Sequence, residues 1–337
     1  MRKNKLFYIF TILLIGVFLF SACSNSNNLA GRDKKINVVC TTFPQYDWVK
    51  EIVGEKINDY QITLLTSKGT DFHSYQPSAE DIAKISTCDL FIYVGGESDK
   101  WVDSALKEAT NKEMKAISLL EVLGDSVKKE EIVEGMEADE HEHDEDEGDE
   151  HGEDEHHFEG YDEHVWLSLK NVQVIVNVIK NTLEEIDSKN SETYTKNYDD
   201  YTKKLSKLDS EYQKVVDSAK IKTALFADRF PFRYMFDDYG LSYHAAFVGC
   251  SAETEASFET IAFLSKKAEE LKLLSVLVIE NSNSKLADTI ISNTSAKNQK
   301  ILVMDSLQSV TENKIKDGYS YLSAMKNNLE VLKEALN

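Results

Sequence analysis

Short apolar runs alternate with amphipathic stretches along most of the chain. The segment INVVCTTF (36–43) is β-branched and apolar and reads as a buried strand. Pro44 follows it, suited to a helix's first turn, and the helical stretch QYDWVKEIVG stops at Gly54. A second strand, YQITLLTS (60–67), leads through the loop GTDFHSYQPS to a helix that Ser78 caps and that runs to about Thr87. DLFIYVGG (89–96) is a third strand closed by two glycines. Strand, helix, strand, helix, strand points to a parallel sheet covered by helices.

The second half repeats this order. KTALFA (222–227) reads as a strand, and Phe230-Pro231 echoes Phe43-Pro44. A helix ends at Gly240; YHAAFVG (243–249) is a strand followed by the polar loop CSAETEAS. The helix FETIAFLSKKAEEL then precedes the strand LLSVLVIE (273–280). Between the halves, Tyr194, Tyr198, Tyr201, Leu205, Leu208, Tyr212 and Val215 recur at spacings of four and three, one apolar stripe on a helix over 191–219. At ~1.5 Å per residue such a helix is roughly 43 Å long, the width of a domain. The expectation is an α/β protein: two similar parallel-sheet lobes, 36–190 and 220–337, joined by a long rigid helix.

The first 23 residues break the pattern. Arg2, Lys3 and Lys5 precede an apolar stretch (6–20) too short to cross a membrane, then Ser21-Ala22-Cys23. This resembles a bacterial lipoprotein signal with Cys23 as the lipidated residue and 24–35 as a flexible tether. The expected location is extracytoplasmic, lipid-anchored to the cell membrane. Cys40, Cys88 and Cys250 share no metal-ligand spacing and are expected as small core residues.

The net charge of −21 is concentrated: residues 137–159 hold fourteen Asp or Glu, five histidines (His141, His143, His151, His156, His157) and no Lys or Arg. The rest of the chain is only mildly acidic and shows no basic patch, which argues against nucleic acid as a partner. This insert is expected to be disordered. It lacks the spacing of a calcium loop and would bind cations loosely, because a flexible chelator must be ordered each time. It reads as an antenna or sensor for metal beside a site elsewhere, or as a solvated loop.

In open parallel sheets, ligands collect at the carboxyl ends of strands. His73 lies in the loop after strand 60–67, Glu280 closes strand 273–280, and His164 opens a helix at the border of the acidic insert. Two imidazoles and a carboxylate facing one inter-lobe cleft would suit Zn²⁺ or Mn²⁺.

Several motifs strengthen this reading: Asp71-Phe72-His73-Ser74-Tyr75 with Pro77-Ser78, Gly95-Gly96-Glu97 before Trp101, Asp162-Glu163-His164-Val165-Trp166-Leu167, Asn171, the Tyr194/Asn197/Tyr198 run, Ser251 to Ser257, and Glu280. Together they resemble the metal-specific solute-binding proteins of bacterial ABC transporters, most closely the zinc-uptake lipoproteins, over residues 36–337. The resemblance implies metal ligands at His73, His164 and Glu280, Zn²⁺ as the transported ligand with Mn²⁺ as the alternative, a membrane permease as partner, and a monomer.

The chain departs from that pattern in two places. The family's third imidazole ligand falls on Arg229 or Ala227, neither able to bind a cation, and its Asp-Pro-His is Asp162-Glu163-His164 here. Asp228, Glu253, Glu255, His244 or water could replace the missing ligand, and the acids could neutralise Arg229. Two His and one Glu also describe a hydrolytic zinc site, but there is no H-E-x-x-H pair and no oxyanion-hole motif, so no enzyme is expected. A surface adhesin is the remaining alternative.

Overall fold

The computed structural model describes residues 35–137, 160–251 and 255–337. The signal segment with Cys23, the tether up to residue 34, residues 138–159 of the acidic insert, and Glu253 lie outside the described residues.

The first lobe carries β1 (Ile36–Cys40), β2 (Tyr60–Leu64), β3 (Leu90–Tyr93) and β4 (Lys115–Ser118), in the sheet order β2-β1-β3-β4. Its helices are α1 (Phe43–Val53), α2 (Ala79–Thr87), α3 (Val102–Lys107) and α4 (Leu119–Leu123). The pairs β1–β3 and β3–β4 are parallel, with Val38 opposite Leu90 and Ile92 opposite Ile117. Local chemistry explains the helix starts. Gln45 Oε1 accepts the backbone N–H groups of Thr41 and Thr42 at 3.0 and 3.1 Å ahead of α1. Ser78 and Asp81 cap α2 reciprocally.

Two helices lead out of this lobe, α5 (Leu169–Ile186) and α6 (Ser191–Ser218). The second lobe then repeats the first: β5 (Thr223–Phe230), α7 (Arg233–Tyr239), β6 (Ser242–Val248), α8 (Phe258–Glu270), β7 (Ser275–Ile279), α9 (Lys285–Ser292), β8 (Lys300–Met304), α10 (Glu312–Lys316) and α11 (Tyr321–Ala335). Its sheet order is β6-β5-β7-β8, the same permutation, again parallel. Both lobes are therefore α/β with a four-stranded parallel sheet. The pattern of apolar runs misses β4 and β8. Both are short edge strands with exposed positions: β4 holds only two apolar residues, and the apolar run in β8 is only four residues long (301–304), too short to separate strand from helix.

Helix α6 has 28 residues and buries Tyr194, Tyr201, Leu205, Leu208, Tyr212 and Val216. Val216 takes the place expected for Val215, as 3.6 residues per turn drifts against a 3.5-residue spacing. Its first half grips the first lobe: the Tyr194 hydroxyl meets that of Tyr60 at 2.8 Å and Asn197 Nδ2 donates to the Ile52 carbonyl at 3.0 Å. Its second half grips the other: the Tyr212 hydroxyl donates to the Met325 carbonyl at 2.6 Å and its ring stacks on Tyr239 at 5.2 Å. Helix α11 returns to the first lobe, where the Tyr321 N–H donates to Asp47 at 2.9 Å and its ring meets Trp48 edge-on. The buried Trp166 indole donates to the Ser306 carbonyl at 2.9 Å, and the Tyr321 hydroxyl donates to the Trp166 carbonyl at 2.6 Å. The relative placement of the lobes is thus pinned by buried, directional bonds. Among the described residues no helix is long and apolar enough to cross a membrane.

Candidate metal centre

The two histidines are built alike. Asp71 precedes a single 3₁₀ turn (Phe72–Ser74), and its Oδ1 accepts the His73 N–H at 3.0 Å. Asp162 Oδ1 accepts the His164 N–H at 2.8 Å. Each aspartate makes a side-chain turn that fixes the backbone of the histidine two residues on. Phe72 and Trp166, both buried, pack ring to ring at 6.0 Å beneath them.

The rings are then oriented. His164 Nδ1 lies 2.8 Å from Asp162 Oδ1, so it carries the proton and donates it. His73 Nδ1 lies 2.8 Å from Ser98 Oγ and 3.2 Å from Glu163 Oε2. Because Ser98 Oγ donates to Glu163 Oε2 at 2.6 Å, it accepts from His73. Both Nδ1 atoms are donors, and both Nε2 atoms present lone pairs. These face one another at 2.9 Å. Carboxylates behind imidazoles in this way set the tautomer and raise ligand basicity.

Glu163 is completely buried. Its Oε1 accepts the Ser98 N–H at 2.8 Å. A Cβ at Gly96 would fall on the Glu163 carboxylate, so only glycine lets the loop after β3 approach it. Burial pushes the Glu163 carboxyl up, but hydrogen bonds from His73 and Ser98 outweigh it and hold it below its ordinary value. Its charge has a cost nearby: burial, then the Glu163 charge, raise Asp99 to about 7 despite N–H bonds from Val94 and Gly95.

Cys250 lies beside the two histidines. Ligand atoms of His73, His164 and Cys250 all lie within 4.8 Å of one another, among the described residues the group of three placed to hold a metal ion. Cys250 sits in the turn after β6, and its thiol is pushed well up by burial and by Glu163, Glu130 and Asp162. The side-chain amide of Gln308, after β8, touches both Nε2 atoms, His73 at 3.2 Å and His164 more closely. His73, Cys250 and Gln308 follow β2, β6 and β8, while His164 comes from the segment after the acidic insert.

The structure thus brings His73 and His164 together and leaves Glu280 outside the cluster. Glu280 follows β7, and both of its oxygens are engaged by Ser306, N–H at 2.7 Å and Oγ at 2.6 Å. Burial first, then Asp305, raise it to about 7 against those bonds. It lines a neighbouring cleft of about 640 Å³ with Asp228, Arg229 and Asp71, a cleft whose walls do not include the two imidazoles. Nor do the candidates for the missing ligand join. Asp228 accepts the Arg229 N–H at 2.9 Å, Glu255 is exposed, and His244 lies within β6 with its ring edge-on to Phe263. Among the described residues Arg229 pairs with Asp71, not with Asp228 or Glu255, while Glu253 lies outside the described residues. A bulge in β5, between the pairings Phe226–Ala245 and Arg229–Phe247, turns the strand so that Arg229 Nη2 meets Asp71 Oδ2 at 2.7 Å. Cys40 and Cys88 are the core residues expected, whereas Cys250 is not. Of the missed residues, Cys250 and Ser98 follow strands that the apolar pattern locates and Asp162 and Glu163 adjoin His164, whereas Gln308 follows β8, which that pattern misses.

Two parallel-sheet lobes bridged by a rigid helix, with paired imidazoles at converging strand ends, define a scaffold for holding a divalent metal between lobes. The chain belongs to the family described as zinc-uptake complex component A, periplasmic (ZnuA), whose model matches residues 38–335. It is 33% identical over 321 residues to the zinc-binding lipoprotein AdcA of Streptococcus pneumoniae, covering 95% of this chain and 59% of that protein. The chain thus spans about three-fifths of the AdcA proteins it matches. It is also 33% identical to the high-affinity zinc uptake system protein ZnuA of Bacillus subtilis, covering 94% of both. Among solved structures it resembles the Zn(II)-bound ZnuA-like domain of S. pneumoniae AdcA, with TM-score 0.68, 29% identity, and coverage of 90% of this chain and 99% of that one. The metal-dependent lipoprotein YcdH of B. subtilis gives TM-score 0.71 at 28% identity, covering 90% and 100%.

Proposed function

We propose that this protein captures Zn²⁺ outside the cytoplasmic membrane and delivers it to the permease of an ABC transporter. His73 and His164 are the imidazole ligands. Glu280 acts as an acidic wall of the adjoining cleft, and Cys23 anchors a monomer to the membrane. One observation carries the reading: the two Nε2 atoms lie 2.9 Å apart while each Nδ1 has an oxygen acceptor of its own at 2.8 Å, the tautomer in which both Nε2 atoms are free to ligate. Tetrahedral Zn²⁺ with Zn–N bonds of about 2.0–2.1 Å sets its nitrogens about 3.3 Å apart, so a small separation of the rings admits the ion. Nitrogen donors favour Zn²⁺ over Mn²⁺, which prefers oxygen. The carboxylates beside the imidazoles, Asp162 and Glu163, are spent on orienting the rings, which leaves neither as a general base and supports a carrier rather than a hydrolase.

The test is native mass spectrometry with competition against a chromophoric chelator, on protein lacking 138–158 so that the acidic run adds no sites. One tightly bound zinc is expected. His73→Ala and His164→Ala should each weaken binding by a hundredfold or more, and Glu280→Ala by less. Equal binding in all four proteins would refute the assignment.

A further inference from the structure

We propose that Cys250 supplies a thiolate as the third ligand of the metal held by His73 and His164, making a two-histidine, one-cysteine centre that selects Zn²⁺ over Mn²⁺. The inference rests on the imidazole site proposed above and deepens it.

The geometry has three parts. First, the Cys250 Sγ and the ligand nitrogens of both imidazoles are mutually within 4.8 Å. Tetrahedral coordination with Zn–S of about 2.3 Å and Zn–N of about 2.0–2.1 Å needs a sulfur–nitrogen separation of about 3.6 Å. The 4.8 Å limit exceeds that separation by only about 1.2 Å. Second, the turn bearing Cys250 is held against His164. A Cβ at Gly249 would lie 2.9 Å from His164 Cε1 and 3.0 Å from the Phe230 carbonyl, so glycine there permits the close approach. Third, the turn is pinned from the other side. The Cys250 N–H donates to Glu130 Oε1 at 3.0 Å, and Glu130 in turn donates its own N–H to the Gly160 carbonyl at 2.9 Å, four residues before His164. One short network thus ties the thiol and the His164 segment together.

The charge balance supports the assignment. Arg229 occupies a position where the family resemblance leads one to expect an imidazole, and its charge is met by Asp71. Gln308, the amide touching both Nε2 atoms, is neutral. Two neutral imidazoles and a neutral amide would leave a divalent ion uncompensated. A thiolate supplies one negative charge directly, its proton leaving to solvent as the metal binds. Asp162 and Glu163 stand behind the rings. Sulfur is also a soft donor, which suits Zn²⁺ and disfavours Mn²⁺.

Co²⁺ is the probe, because a thiolate bound to it gives sulfur-to-metal charge-transfer absorption in the near ultraviolet. The full chain can be used, since the acidic run 138–159 contains no cysteine. At one equivalent the wild type should show this band. Cys250→Ser should lose it while still binding Co²⁺ and should bind Zn²⁺ at least tenfold more weakly. Cys23→Ser, Cys40→Ala and Cys88→Ala should keep the band. Absence of the band after titration of the unaltered protein to Co²⁺ saturation, when the acidic run is filled as well as the ordered site, overturns the thiolate ligand and leaves the imidazole site standing, a result that needs no variant to fold. If His73→Ala and His164→Ala change neither the band nor the affinity, the imidazole site itself falls, and the thiolate proposal with it.

Discussion

Replacing Glu163 by Gln changes one atom and forces a choice on His73. The carboxylate accepts two hydrogen bonds, Ser98 N–H at 2.8 Å and Ser98 Oγ at 2.6 Å, and its Oε2 lies 3.2 Å from His73 Nδ1, whose proton it shares with Ser98 Oγ at 2.8 Å. An amide nitrogen at the first oxygen's place would confront the Ser98 N–H, burying an unpaired donor at a cost of about 1–3 kcal/mol. At the second oxygen's place it would confront His73 Nδ1–H, and the conflict is relieved when the proton moves to Nε2. That proton then occupies the lone pair needed for zinc. Outer-shell substitutions of this kind cost about 10- to 100-fold in metal affinity, or roughly 1.4–2.7 kcal/mol. Competition titration against a chromophoric chelator should show zinc binding weakened within that range. Imidazole nitrogen NMR should show His73 moving from the Nδ1–H to the Nε2–H form. Glu97→Gln, on an exposed side chain of the same loop, should do neither. If Glu163→Gln binds zinc within threefold of the wild type and His73 stays protonated at Nδ1, the tautomer reasoning is wrong.

Further outcomes follow from other parts of the structure. Asp47, raised to about 6 by burial and then by Glu51 despite the Tyr321 N–H bond, binds its proton more tightly folded than unfolded. Its contribution therefore favours the fold below pH ~4 and is lost as pH rises through ~6, roughly 3 kcal/mol in all. Urea unfolding of Asp47→Asn from pH 4 to 8 should lack that slope, and parallel curves would refute it. Asp71 is subject to burial, which acts upward, but Arg229 outweighs it and holds it below the ordinary 3.8. Arg229→Ala should thus cost about 1 kcal/mol at neutral pH, for a partly exposed pair, with the difference closing as pH falls below ~4. Leu205, fully buried on α6, should cost about 2–5 kcal/mol on change to Ala, read as a lower urea midpoint.

Much of the architecture was legible residue by residue. Apolar runs located six of the eight strands, and the Tyr/Leu stripe located α6, because such periodicity depends only on neighbours a few positions apart. The edge strands β4 and β8 escaped, since β4 has two apolar residues and β8 a run of four (301–304), too short for periodicity to assign. His73 was legible as a loop residue after a strand, where a parallel sheet gathers its ligands, and His164 as the residue opening a helix at the border of the acidic insert. Their meeting across 91 positions was not, and neither was the amide of Gln308, 144 positions from His164. Glu280 looked equivalent to them along the chain, yet Ser306 engages both of its oxygens, a partner that only the β7–β8 pairing brings near. Cys250 read as a small apolar core residue until the turn after β6 was seen lying on the His164 ring. Local sequence determines which segments become strands and helices. Sheet order, and the clasp of α6 and α11 on both lobes, decide which side chains converge, because that placement is set by packing between segments distant in the chain.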